Sequence, residues 1–325
     1  MTIKEVISEV IKKHEKDGGI DSVYFVACGG SYAGFYPAKY LLDRESKTLK
    51  TQIYTSNEFV HAVPKSCGKN TLVIACSMRG TKETGVAVEV ANATGASTIA
   101  LYVEESHMTE IAQYKYKYES ISLDETKVEN VNSSIGLHMA FELLHQLEGY
   151  EYYKEAEEGF EIIDDIYRQA VKYCKPRAEE FAEKCKNDET IYVLGGGPSM
   201  GSAYIFSICN LMEMQWVHSP TVNTGELLHG PFEAVDKNLA MVALISEGRT
   251  RPVDIRALNF LEKYGERLFV IDAKELGINR ISDKVSEFFN HLIFSSILNN
   301  VYLRELSYAK KHNYMNRRYM WKVEY

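Results

Sequence analysis

The six cysteines of this 325-residue chain include no C-x-x-C pair, and their spacings match no zinc pattern. Three of them lie in apolar runs, where a buried small thiol is the ordinary arrangement, and a reducing cytoplasm is the expected location. Basic residues are in the minority, 37 Lys and Arg against 45 Asp and Glu, for a net charge of -8. That balance argues against a broad nucleic-acid surface, which requires clustered cations. A small anion is still admissible, because backbone N–H groups can hold a phosphate locally. No apolar run reaches about 18 residues, so no membrane span is expected. The first residues, Met1-Thr2-Ile3-Lys4-Glu5, open an amphipathic helix and carry no signal-peptide core. Nucleotide fingerprints are missing too. G-x-G-x-x-G fails at Met200 when started from Gly195 and at Ser31 when started from Gly29, and no Gly-Lys-Ser or Gly-Lys-Thr occurs.

What is present is an alternation of helical and strand-like segments. Val23–Cys28 is continuously apolar and ends in Gly29-Gly30, as expected of a parallel strand buried on both faces. Further strands are expected at Ile53-Tyr54, Thr71–Cys76 and Ser97–Tyr102, with helices from Ser31 to about Asp43 and over about Lys82–Asn92. The second half repeats the plan. A charged helix over about Glu158–Lys186 leads to a strand at Thr190–Leu194, a Gly195-Gly196-Gly197 cluster and a helix from about Ser199. Later strands are read at Leu239–Ile245 and Leu268–Asp272. The fold class is α/β, two doubly wound parallel sheets flanked by helices, with domains at 1–155 and 156–325.

Glycines at the carboxyl ends of such strands let N–H groups approach a ligand, and the next helix adds its positive end. Cys28-Gly29-Gly30-Ser31 and Ser77-Met78-Arg79-Gly80-Thr81 both stand at such points, with Ser31, Ser77 and Thr81 as hydroxyl donors. A phosphate site is the sharper reading and plain tight turns the blander one. For Gly195-Gly196-Gly197 the turn reading fits better.

Two residues suggest chemistry. Glu213 sits in Ile208-Cys209-Asn210-Leu211-Met212-Glu213-Met214-Gln215-Trp216, with no nearby Lys or Arg to neutralise it. Such a carboxylate resists ionising and suits a general base near neutral pH, although a pocket-rim or interface role is the plainer alternative. His229, in Gly225-Glu226-Leu227-Leu228-His229-Gly230-Pro231, is expected at an element edge within reach of a ligand, or else is structural.

Together these motifs resemble the tandem SIS (sugar isomerase) domains of the glucosamine-6-phosphate synthase isomerase module. The likeness rests on Val26–Ser31, Ser77-x-x-Gly80-Thr81, Glu213 and Gly225-Glu226-Leu227-x-His229-Gly230-Pro231. The tail, Asn316-Arg317-Arg318 through Val323-Glu324-Tyr325, is similar to the fructoselysine-6-phosphate deglycase branch. That resemblance implies a sugar phosphate bound by Gly29, Gly30, Ser31, Ser77 and Thr81, with Ser133 as a further ligand. It also implies Glu213 as catalytic base and His229 as the ring-opening histidine, contributed by the neighbouring subunit of a homodimer. The substrate implied is a phosphorylated Amadori-type sugar–amine adduct, with no cofactor or metal and no nucleic-acid or membrane partner. Glucosamine-6-phosphate deaminase/isomerase activity and a non-catalytic sugar-phosphate sensor are the alternatives. The loop departs from the family's Ser-x-Ser-Gly-Glu-Thr by one residue, and Arg79 either reaches an anionic substrate group or is solvated. Lys322 lies closer to the end than the synthase's Schiff-base lysine and stays outside the catalytic set.

Overall fold

The computed structural model describes residues 1–324, so Tyr325 of the Val-Glu-Tyr tail lies outside the described residues. The chain divides into two compact units, Met1–Phe160 and Glu161–Tyr325. The division falls within a single helix, Tyr153–Cys185, a few residues beyond the 155/156 boundary read from composition.

In the first unit, strands β1 (Ser22–Ala27), β2 (Lys50–Thr55), β3 (Thr71–Cys76), β4 (Ser97–Tyr102) and β5 (Tyr114–Lys117) form one sheet in the order β2-β1-β3-β4-β5. Every pairing is parallel. Each residue of β1, β3 and β4 is buried, as their unbroken apolar runs require in a sheet covered on both faces. Val26 and Val73 pack with Phe59, Ala87 and Ala91 from the flanking helices. The first helix, Ile3–His14, is closed by a capping box in which Thr2 Oγ1 accepts from Glu5 N at 3.2 Å and Thr2 N donates to Glu5 Oε2 at 2.8 Å.

The second unit carries β6 (Ile191–Gly195), β7 (Thr221–Asn223), β8 (Ala240–Ile245) and β9 (Arg267–Asp272), ordered β7-β6-β8-β9 and again all parallel. Leu194, Val222, Met241 and Ala243 from this sheet pack with Leu261 of the helix Arg251–Tyr264. The helix expected from Ser199 is less regular than its sequence suggests. A 3₁₀ turn at Gly197–Ser199 and a short α-helix, Met200–Tyr204, lead into a π-helix over Ile205–Met214. A second π segment, Leu298–Tyr302, interrupts the helical run from Asn290 to Lys310. The two meet where Asn210 Nδ2 donates to Asn299 Oδ1 at 3.1 Å. Extra residues of this kind inside helices are frequent at functional sites.

Candidate active site

In the first sheet, β1 is followed on one side by β2 and on the other by β3, so the strand order reverses between β1 and β3. Ligands of open parallel sheets bind outside the carboxyl ends of strands at such a reversal. Ala27 and Cys76, the last residues of β1 and β3, are direct partners, and this places Cys28–Ser31 beside Ser77–Thr81. The first loop turns straight into the helix Gly29–Gly34, with Gly29 at φ +55 and open space where its Cβ would be. Buried Ser77 accepts from Thr81 N through Oγ at 3.0 Å and so ties the second loop into a ring. From there a chain of hydroxyls runs inward, Thr81 Oγ1 to Thr84 Oγ1 at 3.0 Å and Thr84 Oγ1 to Ser56 Oγ at 2.9 Å.

Two further segments join the first loop at the Cys76 thiol. Ser31, Asn132 and Tyr118 all hydrogen-bond with it, and burial pushes the thiol up to about 11. Asn132 opens the helix Asn132–Glu148, and Ser133 is buried at its second position. Tyr118 was not anticipated. It lies just beyond the edge strand β5, and its apolar–Lys alternation gave no sign of a site. The structure thus brings together Gly29, Ser31, Ser77, Thr81 and the start of the Ser133 helix. Arg79 behaves otherwise: its Nε pairs with Glu104 Oε1 at 3.1 Å with both side chains largely exposed, which favours the solvated of its two readings.

Gly80 shapes this cradle. Its φ is +65, and a Cβ there would stand 1.9 Å from Ser106 Oγ. Gly80→Ala is expected to cost about 1–3 kcal/mol through a left-handed backbone and a steric clash. The checks are a lowered thermal midpoint and, as the resemblance implies for this cradle, weaker binding of a sugar phosphate by calorimetry.

In the second unit the turn after β8 repeats the spacing, with Ser246 and Thr250 standing as Ser77 and Thr81 do after β3. Here a carboxylate from the same chain fills the turn. Glu287 Oε2 accepts from Arg249 N at 3.0 Å and Oε1 from Arg249 Nε at 2.6 Å. Gly248, at φ +110, has Glu287 Cβ only 2.2 Å from where its own Cβ would be.

Glu213 lies near the end of the π-helix, and here the sequence-based expectation needs correcting. No cation is close in sequence, but Arg317 folds back from the tail and its Nη2 meets Glu213 Oε1 at 2.8 Å. Burial pushes the Glu213 carboxyl above its ordinary value, and the Arg317 charge and hydrogen bond oppose that rise without cancelling it. A raised carboxyl was expected; a counter-ion 104 positions away was not. The two residues line a cavity of about 490 Å³ together with Met212, Trp216, His218 and Tyr319. Trp216 adopts φ +57, rare for a bulky side chain, and carries His312 at 4.4 Å and Arg318 at 4.3 Å on its ring. Backbone strain of this kind gathers at binding sites. His218 was missed by sequence reasoning because it belongs to no recognisable motif. Its backbone is fixed beside Thr190 at the sheet edge, with Ile191 N donating to His218 O at 3.0 Å.

His229 is exposed on a 3₁₀ turn, Leu227–His229, and its N–H closes onto Glu226 O at 2.9 Å. Its ring makes no side-chain hydrogen bond or ion pair among the described residues and is not part of the Glu213 cavity lining. The turn is nevertheless held firmly. Buried Asp254 accepts from Thr224 Oγ1 at 2.6 Å and from Ser246 N at 2.9 Å, joining the end of β7 to the end of β8. Gly230, at φ +139, permits the reversal into Pro231 that leaves the imidazole outside. No group of three or more His, Cys, Asp or Glu among the described residues is arranged to hold a metal, and no described helix is long and apolar enough to cross a membrane.

Two parallel sheets of this connectivity, each with glycine loops at its reversal point, make a tandem doubly wound α/β architecture, which phosphosugar isomerases share. A described phosphosugar isomerase from Salmonella typhimurium LT2 superposes with a TM-score of 0.95 at 41% identity, covering 99% of this chain and 98% of that one. The C-terminal domain of glucosamine-fructose-6-phosphate aminotransferase from Francisella tularensis shares the fold at a TM-score of 0.77 and 18% identity, over 95% of this chain and 94% of that one. Among curated proteins, fructosamine deglycase FrlB of Bacillus subtilis (strain 168) is 40% identical over 308 residues, covering 94% of this chain and 93% of that protein. Fructoselysine 6-phosphate deglycase of Escherichia coli (strain K12) is 26% identical over 276 residues, or 84% and 78% of the two chains. No protein-family profile matches the chain. The chain belongs to the fructosamine deglycase branch of the tandem SIS phosphosugar isomerases, and it is an enzyme.

Proposed function

We propose that the enzyme hydrolyses a phosphorylated Amadori adduct, fructoselysine 6-phosphate or a close relative, to glucose 6-phosphate and the free amine. The observation that carries this reading is the half-buried Glu213 carboxylate, paired at one oxygen with Arg317 and facing a cavity, and raised by desolvation. The sugar phosphate would be held by the Cys28–Ser31 and Ser77–Thr81 loops with Ser133, through N–H groups and hydroxyls rather than through Arg79.

The chemistry then runs in four stages. His229, reaching the site from a second copy of the chain in a homodimer, opens the ketose ring by moving a proton between the anomeric hydroxyl and the ring oxygen. Glu213 removes a proton from C1, giving an enaminol as O2 is protonated. The same carboxyl returns its proton to C2 while the amine N–H proton is released, and an aldimine forms between C1 and nitrogen. Water adds to C1, the C1–N bond breaks, and aldose phosphate and amine leave. One water is consumed and no redox change occurs. A carboxyl poised above its usual range suits this two-way role, because it must give up its proton as readily as it takes it. Six unpaired cysteines, five of them buried, suit a reducing cytoplasm.

The deciding experiment is glucose 6-phosphate release, measured with a coupled dehydrogenase, from fructoselysine 6-phosphate beside glucosamine 6-phosphate. Turnover of the first and none of the second is expected, with added phosphoglucose isomerase so that any fructose 6-phosphate formed by deamination is also read. Fructose 6-phosphate and ammonia from the second substrate, with no turnover of the first, would replace the deglycase reading with a deaminase.

A further inference from the structure

The contact between Glu213 and Arg317 is built with more care than a chance surface pair. Arg317 is about nine-tenths buried, its side chain 7% exposed, although it belongs to the tail. The tail is itself tied down: Gln215 Nε2 donates to His312 O at 3.2 Å, and Tyr314 N donates to Ser307 Oγ, also at 3.2 Å. Arg317 Nη1 is held by Tyr314 O at 2.7 Å and Asn316 O at 3.0 Å, and its guanidinium lies 5.6 Å from the Trp321 ring centre. These bonds fix the guanidinium before any substrate arrives. Only Nη2 engages Glu213, and buried Nε has no partner among the described residues. Nε and Nη2 lie on one edge of the planar group, so half of a two-pronged fork is used.

We propose that Arg317 is a positioning residue for the catalytic base, fixing the Glu213 carboxylate by one oxygen and keeping it in its ionised, proton-accepting form. The inference rests on reading Glu213 as that base. Desolvation without the cation would raise this carboxyl further and leave less of it ionised to take a proton from C1. A fixed cation at one oxygen reverses part of that shift and leaves the other oxygen for the substrate. Other groups near Glu213 do not substitute for Arg317. The Cys209 thiol, one turn earlier on the same helix, is pushed up to about 12 by burial and is neutral at pH 7. His312, behind Trp216, is lowered by burial and by the charges of Lys310 and Arg318. His218 and Arg318 line the same cavity, but among the described residues neither is bonded to the carboxylate.

The test follows the carboxyl itself. In protein carrying ¹³C-carboxyl glutamate, the resonance lost in Glu213→Gln identifies this group, and its shift is followed against pH. In Arg317→Met the midpoint is expected to rise by about one unit or more, a tenfold smaller ionised fraction at a given pH. Arg317→Lys should stay near the wild-type midpoint, and the acid limb of kcat/KM should move with the resonance in each variant. Should Arg317→Met fail to fold, Arg317→Gln carries the same expectation. An unchanged midpoint on loss of the charge overturns the proposal. If the variants show the shift but wild-type protein releases no sugar phosphate, the deglycase reading is overturned and the pairing stands.

Discussion

Replacing Glu213 by Gln is expected to lower kcat by about 10³-fold, within the range of a lost general acid–base step, while sugar-phosphate affinity changes little. The amide cannot shuttle a proton between C1 and C2, but it keeps an oxygen to accept the Arg317 Nη2 bond. That choice of substitution matters. Glu213→Ala would strand a buried guanidinium, and leaving such a charge unpaired costs about 3–5 kcal/mol, so lost activity could then reflect lost structure. Stopped or steady-state release of glucose 6-phosphate gives the rate, and calorimetry with the product gives the affinity. In the wild-type enzyme the pH profile carries the same signature. Burial places the Glu213 carboxyl above its usual range, so the base is ionised above that raised value. kcat/KM should therefore fall as the pH drops through it, at a higher pH than an exposed glutamate would give. Glu213→Gln with wild-type turnover would remove this residue from the mechanism.

The second large effect separates two imidazoles. His229 stands exposed outside the Glu213 cavity, whereas His218 lines it. If His229 serves the site of a partner subunit, Glu213→Gln and His229→Ala chains are each inactive alone but recover activity on mixing. Random pairing makes half the dimers hybrid, each with one intact site, so about a quarter of wild-type activity is expected. Recovery by co-expression, with hybrids shown by native mass spectrometry, would establish the shared site. If hybrids form without activity, His229 acts within its own chain or not at all, and His218→Ala becomes the variant that should fail.

The strands that carry the site were readable because they are buried on both faces. Val23–Ala27, Thr71–Cys76 and Ala240–Ile245 are unbroken apolar runs, a pattern that a doubly covered parallel strand produces and a half-exposed one does not. Tyr114–Lys117 and Thr221–Asn223 were not readable: the first alternates at a half-covered edge, and the second has only three residues. The glycine loops pointed to a candidate ligand site because hydroxyls accompany them. The details around Glu213 stayed hidden for two physical reasons. Apolar spacing along Ile205–Met214 fits a helix whether its turns are α or π, so the wider winding leaves no mark in the pattern. Local neighbours also said nothing about Arg317, because tertiary folding alone brings the tail to that helix. The apparent lack of a counter-ion was a statement about sequence distance, and charge acts through space.

The carboxylate of Glu287, inside the turn after β8, has a consequence for counting. Arg249 N–H already donates to it, and a second anion at that turn would meet both an occupied donor and a like charge. On the proposed reading, two halves of one plan therefore provide a single seat for a phosphate dianion. Titrations should saturate at one sugar per chain along a simple hyperbola, with no second, weaker phase contributed by the other half. On that reading, the second copy of the plan serves as a scaffold for the proposed proton shuttle rather than as a second receptor.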